Sequence, residues 1–291
     1  MSRYASQTRN LPALFNFLRP HVALQAAAYV FVGAYLSGAG WATFQVSTLT
    51  AAVAVALTVA FGFVINDYMD RELDRIQKPE RPLPAGLVRL NDVRLLGAAT
   101  VAATLMTASL LETPLMIWVW LNLLLTAAYS IWLKRTVFLG NLAIALLNSS
   151  IILFGASASG GLRPLVWSIA ATTLLFSLAQ EVLYTVDDYP GDRQAGIMTT
   201  AIFLGPTRAL RLVQVLLVAL VISSFVPLGL GSGSLFYLIM LLPCTLAPVA
   251  LRLWPLTRQA DPQAVSQAVA LIKQVRASSL LPLLLLHPLV G

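Results

Sequence analysis

Long apolar runs alternate along this chain with short knots of charge, and that alternation predicts helices that cross a membrane. A spanning helix needs about 20 mostly apolar residues. Runs of this kind lie at 21–39, 46–66, 93–111, 114–133, 138–160, 165–186, 207–228, 234–254 and 268–288. The predicted fold is an all-α integral membrane protein with nine transmembrane helices. Pro243, Pro248 and Pro282 interrupt the last two runs; helical bundles tolerate such kinks. Arg3, Arg9 and Arg19 precede the first run and "LSGAG" follows it, which could pass for a cleaved leader. We read it as a retained helix, because the charge pattern works with it kept.

That pattern tests the count. If the N-terminus shares one side with the second, fourth, sixth and eighth connections, that side holds every Lys and Arg except Arg163. A missed or invented span would scramble the split. Basic loops face the cytoplasm, so the N-terminus and the motif loops are expected there and the C-terminus outside. The acids follow the same division, with Glu112 the exception.

Composition agrees. Hydrophobic residues make up 58% of the 291 residues and charged ones 11%, against about 25% charged in a soluble domain. The mean hydropathy is +0.80. The net charge of +7 then points to the anionic leaflet or an anionic substrate at its surface, not to nucleic acid. Cys244 is the only cysteine, so no intrachain disulfide or cysteine-based metal site is available. The outer connections are short and nearly uncharged. We therefore expect a single membrane-embedded domain over residues 1–291, with cytoplasmic motif loops at about 66–92 and 187–206.

Two carboxylate clusters end even-numbered spans and so share the cytoplasmic face. The first, "NDYMDRELDR", holds Asn66, Asp67, Asp70, Glu72 and Asp74. On a helix, Asn66, Asp70 and Asp74 fall within roughly 80° of one another. Such oxygens repel unless a cation sits among them. The second, "EVLYTVDDYPGDRQAG", places Asp188 and Asp192 four apart and Glu181 seven residues before Asp188, deeper in the membrane; "PGDRQAG" marks the expected helix end. Oxygen donors suit Mg²⁺, which binds through a few carboxylates plus substrate phosphates. Two facing clusters could hold magnesium ions with a diphosphate between them. Arg75, Lys134 and Arg193 lie close in sequence and could take the remaining phosphate oxygens. The plain alternative is that each cluster is a solvated helix end whose acids pair with Arg71, Arg75 and Arg193.

At these residues the chain resembles the UbiA-type intramembrane prenyltransferases. "NDYMDRELD" is similar to their first motif, carried by Asn66, Asp67, Asp70 and Asp74; "RPLPAG" (81–86) and "AYSIWLKR" (128–135) resemble the segments that follow, and "LGNL" (139–142) comes next. "DDYPGDRQAGIMTT" resembles the second motif at Asp188 and Asp192, and Thr185 stands where many members have a further Asp. Glu181 or Asp187 could contribute a metal ligand instead. The resemblance implies a nine-helix bundle around a central cavity open sideways to lipid. It implies transfer of a prenyl group from an isoprenyl diphosphate to an aromatic or other lipophilic acceptor, with Mg²⁺ as cofactor.

Departure of diphosphate builds anionic charge that metal and cationic side chains neutralise. The allylic cation left behind needs a dry site and can be stabilised by aromatic faces. Phe61, Phe63, Tyr68, Tyr129, Phe176 and Tyr184 are the candidates, with Tyr129 and Tyr184 inside motif-like segments; ordinary packing is the alternative for each. Asp70, Asp188, Lys134 and Tyr129 are the expected catalytic residues. Arg75, Arg193, Tyr184, Asn148 and Glu181 are expected at substrate, and Asn66, Asp67, Asp70, Asp74, Asp188 and Asp192 at metal. Asn122, Asn148, Ser149 and Gln180 line the cavity or bond between helices. Two other readings stay open: a terpene cyclase acting on the donor alone, and a transporter.

Overall fold

The structure is a computed structural model that describes residues 10–287; Arg3 and Arg9 lie outside them. Among the described residues every regular element is helical. A short helix α1 (Leu11–Phe17) precedes α2 (Pro20–Leu36). Next come α3 (Val46–Met69), a turn of helix α4 (Arg71–Gln77) and α5 (Leu90–Ala108). Helices α6 (Thr113–Ile131), α7 (Leu139–Ser157) and α8 (Pro164–Asp187) follow. Two short helices, α9 (Tyr189–Ala195) and α10 (Thr200–Leu204), lead into α11 (Pro206–Ser223) and α12 (Val226–Gly229). The chain closes with α13 (Leu235–Leu241), α14 (Trp254–Leu256), α15 (Pro262–Ser278) and α16 (Leu280–Leu283).

Local chemistry sets these ends. Helices α2, α8, α11 and α15 each begin on a proline, whose missing N–H falls where a helix has no partner for it. Between α13 and α14 the backbone widens into π turns at Leu242–Leu246 and Pro248–Leu253. Pro243 and Pro248 remove donors there, and the wider turns accommodate the loss.

Among the described residues six segments are long and apolar enough to cross a membrane: Val46–Met69, Thr113–Ile131, Leu139–Ser157, Pro164–Asp187, Pro206–Gly229 and Leu235–Leu256. The chain is thus a multi-pass membrane protein. The other three predicted runs are helical but differ in character. Helix α2 is shorter, at 17 residues. Helix α5 carries Asp92 and Arg94 near its start and buries a narrow stripe of Val93, Thr100, Thr104 and Ala108. Helix α15 starts six residues before the predicted 268, buries Val265, Ala268, Val269, Leu271, Ile272 and Val275, and breaks at Ser279.

The bundle is knitted by close backbone contact. A Cβ on Gly33 of α2 would lie 2.1 Å from the Ile152 carbonyl oxygen, and one on Gly155 of α7 only 2.0 Å from that of Val30. Small residues let membrane helices approach this closely. Around this seam α3 packs on α2, α5 and α6, while α8 packs on α7, α11 and α15. The two motif-bearing helices, α3 and α8, thus each hold a central place in their half of the bundle.

Candidate active site

Helix α3 stops at Met69, yet its hydrogen-bond ladder runs on through Asp70. The Asp70 N–H donates to the Asn66 carbonyl at 2.9 Å, and the Asp74 N–H to the Asp70 carbonyl at 2.7 Å. The helical spacing of the first motif therefore survives the break. Its side chains divide between two cations. Lys134 Nζ donates to Asp70 Oδ1 at 2.6 Å and Asn66 Oδ1 at 3.1 Å. Arg81 Nη1 donates to Asp74 Oδ2 at 2.7 Å and Asp67 Oδ1 at 3.4 Å. This corrects the single predicted stripe: Asp74 sits with Asp67, not with Asn66 and Asp70. Residues seven apart lie only about 20° apart around a helix, whereas those eight apart lie about 80° apart.

Arg19 adds a third cation. Its Nη2 lies 3.0 Å from both Asp67 oxygens, with the guanidinium 4.3 Å from the Phe63 ring centre. A left-handed backbone at Arg19 (φ 47°) turns the chain there. Burial pushes the Asp74 carboxyl above its usual range; Arg81 opposes this, and Asp70 and Asp67 add to it. Burial also lowers the Lys134 ammonium, with Asp70 opposing.

The second motif repeats the construction. Helix α8 ends at Asp187, earlier than "PGDRQAG" predicted, and Asp188 links it to α9. The stop signal acts on α9, which Gly196 terminates at φ 66°. The Asp192 N–H still donates to the Asp188 carbonyl at 2.9 Å, so Asp188 and Asp192 keep their spacing. Asp192 is buried, and burial, then Asp188, push its carboxyl up to about 6; Asp70 acts in the same direction.

Asp70 thus reaches the second motif electrostatically, and Lys78 reaches it directly, with Nζ 3.0 Å from Asp188 Oδ1. A further tie runs through the segment after Lys134. The Phe138 N–H donates to Thr200 Oγ1 at 2.9 Å, and that hydroxyl donates to Asn141 Oδ1 at 2.5 Å. Phe138 holds a positive φ of 64° to do so. The two clusters, four spans apart in sequence, face one another.

The other expected residues divide among the site, the helix seams, the core and the surface. Tyr129 lies within reach of the charges of Glu181, Asp70 and Asp188, so it stands between the motifs. Tyr184 accepts a hydrogen bond from Gln180 through its hydroxyl. Asn148, by contrast, donates to Ser177 at 2.7 Å, Ser149 to the Ala170 carbonyl, and Ser150 to Asn122; these bonds join α7 to α8 and α6. Arg75 pairs with Glu72 on the surface, and Arg193 is exposed. Phe61 and Phe176 are buried in the core, and Tyr68 stacks with Arg71 and Arg94. Asp187 is exposed, and Thr185 bonds its own helix at the Val182 carbonyl.

Sequence reasoning missed Arg19, Lys78 and Arg81 as partners of the acids. Arg81 opens the "RPLPAG" segment and Lys78 follows Asp74 by four residues, so both carried a local signal. Arg19 carried none, because its contact depends on α2 lying beside α3.

The donor set fits magnesium. Asn66 and Asp70 converge two oxygens on one cationic nitrogen, and oxygen donors are the kind a hard cation takes. Among the described residues no three carboxylate, imidazole or thiol side chains come together in a group that could hold a metal ion by themselves. An open set of this kind suits an ion that completes its shell with water and substrate phosphates.

The chain also resembles known proteins along most of its length. The profile of the UbiA prenyltransferase family matches residues 26–273. A digeranylgeranylglyceryl phosphate synthase of Methanoculleus marisnigri is 36% identical over 79% of this chain and 81% of its own length. One from Natronomonas pharaonis is 34% identical over 85% and 90%. A solved structure of a digeranylgeranylglyceryl phosphate synthase superposes with a TM-score of 0.74 at 25% identity, covering 95% of this chain and 98% of that one. A UbiA homologue from Archaeoglobus fulgidus, solved with GPP and Mg²⁺, shares the fold with a TM-score of 0.65 at 20% identity, over 93% and 99%.

Proposed function

The chain belongs to the UbiA prenyltransferase family and is an enzyme that transfers prenyl groups to a lipophilic acceptor; from that premise we propose its donor site, metal ligands, acceptor class and topology. The donor is an isoprenyl diphosphate, bound between the two aspartate motifs. The acceptor is a glyceryl phosphate that already bears one prenyl chain, a class supported by the names of the relatives at 34–36% identity. Nine crossings, with the N-terminus and motif loops cytoplasmic, follow from the positive-inside split.

The observation that carries the donor site is the contact of Lys78, four residues past Asp74 of the first motif, with Asp188 of the second, beside the Lys134–Asp70 pair. Asn66, Asp67, Asp70, Asp74, Asp188 and Asp192 would hold magnesium, which would supply neutralisation of the diphosphate charge. Lys78, Arg81 and Lys134 take phosphate oxygens as that charge grows. They suit this role better than Arg75, which pairs with Glu72, and the exposed Arg193, because each already meets a motif aspartate. The apolar walls keep water from the allylic carbon, and Tyr129 and Tyr184 offer aromatic faces to its positive charge.

Mass spectrometry tests this reading. Purified enzyme given geranylgeranyl diphosphate, Mg²⁺ and geranylgeranylglyceryl phosphate is expected to yield one product carrying both chains. A hydrocarbon or alcohol made from the donor alone would contradict it and mark a cyclase.

A further inference from the structure

Beyond the aspartate motifs, one group of polar side chains gathers between α2, α8 and α15. Glu181 lies on α8 roughly 10 Å deeper than Asp188, at 1.5 Å per residue. It makes no hydrogen bond or ion pair with any described residue. An ionisable group inside a span is costly and ordinarily faces a cavity or a partner. The cation whose charge acts on Glu181 is Arg276 on α15, which acts on Tyr184 as well. Yet Arg276 and Glu181 form no ion pair.

Arg276 has donors to spare. Its Nε is buried without a partner, and its Nη2 reaches only Gln25 Oε1, at 3.5 Å. Its position is fixed, because the Tyr29 hydroxyl donates to the Arg276 carbonyl at 3.1 Å. Lys273, one turn earlier on α15, holds Nζ 5.4 Å from the Tyr184 ring centre. Tyr129 lies within reach of the charges of Glu181, Asp70 and Asp188 alike, so it links this group to the donor site. A guanidinium with unused donors beside an ammonium is suited to an oxyanion. A carboxylate without a partner next to them is suited to accepting a proton.

We propose that Arg276 and Lys273 bind the phosphate of the prenylated glyceryl phosphate acceptor, and that Glu181 takes the proton of its attacking hydroxyl. The inference rests on the prenyl-transfer reading above. A lone pair of the hydroxyl oxygen forms the new C–O bond to the allylic carbon. The bond from that carbon to the diphosphate breaks, and its electron pair leaves with the diphosphate. The hydroxyl proton passes to the Glu181 carboxylate and reaches solvent after product leaves. No oxidant or reductant is required.

The test uses the full chain in lipid nanodiscs, with geranylgeranyl diphosphate, Mg²⁺ and two acceptors: geranylgeranylglyceryl phosphate and the same lipid without its phosphate. Arg276→Met is expected to raise KM for the phosphorylated acceptor about 10- to 100-fold, to leave donor KM alone and to erase the preference for phosphate. Glu181→Gln is expected to lower kcat about 10²- to 10⁴-fold at little-changed acceptor KM, with partial recovery in Glu181→Asp. Lys273→Ala alters an exposed residue and supplies the same KM test if Arg276→Met does not fold. Full kcat in Glu181→Gln, or unaltered phosphate preference in Arg276→Met or Lys273→Ala, overturns the proposal. Wild-type turnover that ignores both acceptors defeats it while leaving the donor site intact. No diphosphate release from any donor defeats both.

Discussion

Lys78 Nζ and Asp188 Oδ1 lie 3.0 Å apart, although 110 positions separate them in the chain. This contact closes the first motif onto the second. It is a surface-type pair, with the two side chains 35% and 42% exposed, and such pairs contribute about 1 kcal/mol or less. Lys78→Ala should therefore leave the melting temperature nearly unchanged while raising donor KM about ten-fold. A large loss of stability with unchanged KM would show the pair to be structural.

The Lys134–Asp70 pair is more deeply set, at 12% and 15% exposed. Removing one partner of a buried pair costs about 3–5 kcal/mol. Lys134→Met should lower stability by that order in metal-free buffer. Added Mg²⁺ should raise its melting temperature more than that of wild type, because the ion replaces the ammonium lost from beside Asn66 and Asp70. Equal magnesium shifts in both proteins would place the ion elsewhere.

Arg81 separates two buried carboxylates, Asp67 and Asp74. Arg81→Met leaves them facing one another, and a loss of about 3–5 kcal/mol is expected. Arg81→Lys should recover only part of it, since an ammonium cannot reproduce the guanidinium fork. Thermal unfolding of the two variants side by side measures this; full recovery by lysine would mean that charge alone matters.

Gly155 sets the spacing of α2 and α7, with any Cβ falling 2.0 Å from the Val30 carbonyl oxygen. Gly155→Val should cost about 3 kcal/mol or more through overpacking and reduce the yield of monodisperse protein. Gly229→Ala meets nothing within 4 Å and should stay within about 0.5 kcal/mol of wild type. Size-exclusion profiles and melting curves of the pair check the contrast.

Hydrophobic pattern located the helices well where a span is apolar throughout, as in α3, α6, α7 and α8. It slipped at the C-terminus, because the apolar stretch after Ser279, including the buried Leu286, drew the predicted run past the true start of α15 at Pro262. The polar residues of that helix hid its buried stripe. Within the site, the i, i+4 spacing found Asn66 with Asp70 and Asp188 with Asp192, since the backbone ladder carries through both helix breaks. Which cation meets which acid was less legible. Lys78 and Arg81 reach back from a loop whose path no periodicity specifies, and Arg19 needs both a left-handed backbone and a neighbouring helix. Glu181 was visible as a charge in a span; the incomplete bonding of Arg276 opposite it became visible only once α8 and α15 were placed together.

The central claim is that the two aspartate motifs form one magnesium–diphosphate site. The most direct measurement is diphosphate release from geranylgeranyl diphosphate, with Mg²⁺ and acceptor, by wild type, Asp70→Ala and Asp188→Ala. Each substitution alone is expected to lower release about 10²-fold or more, and the double variant little further, because the residues act as a unit. Wild-type release by either single variant would contradict the account.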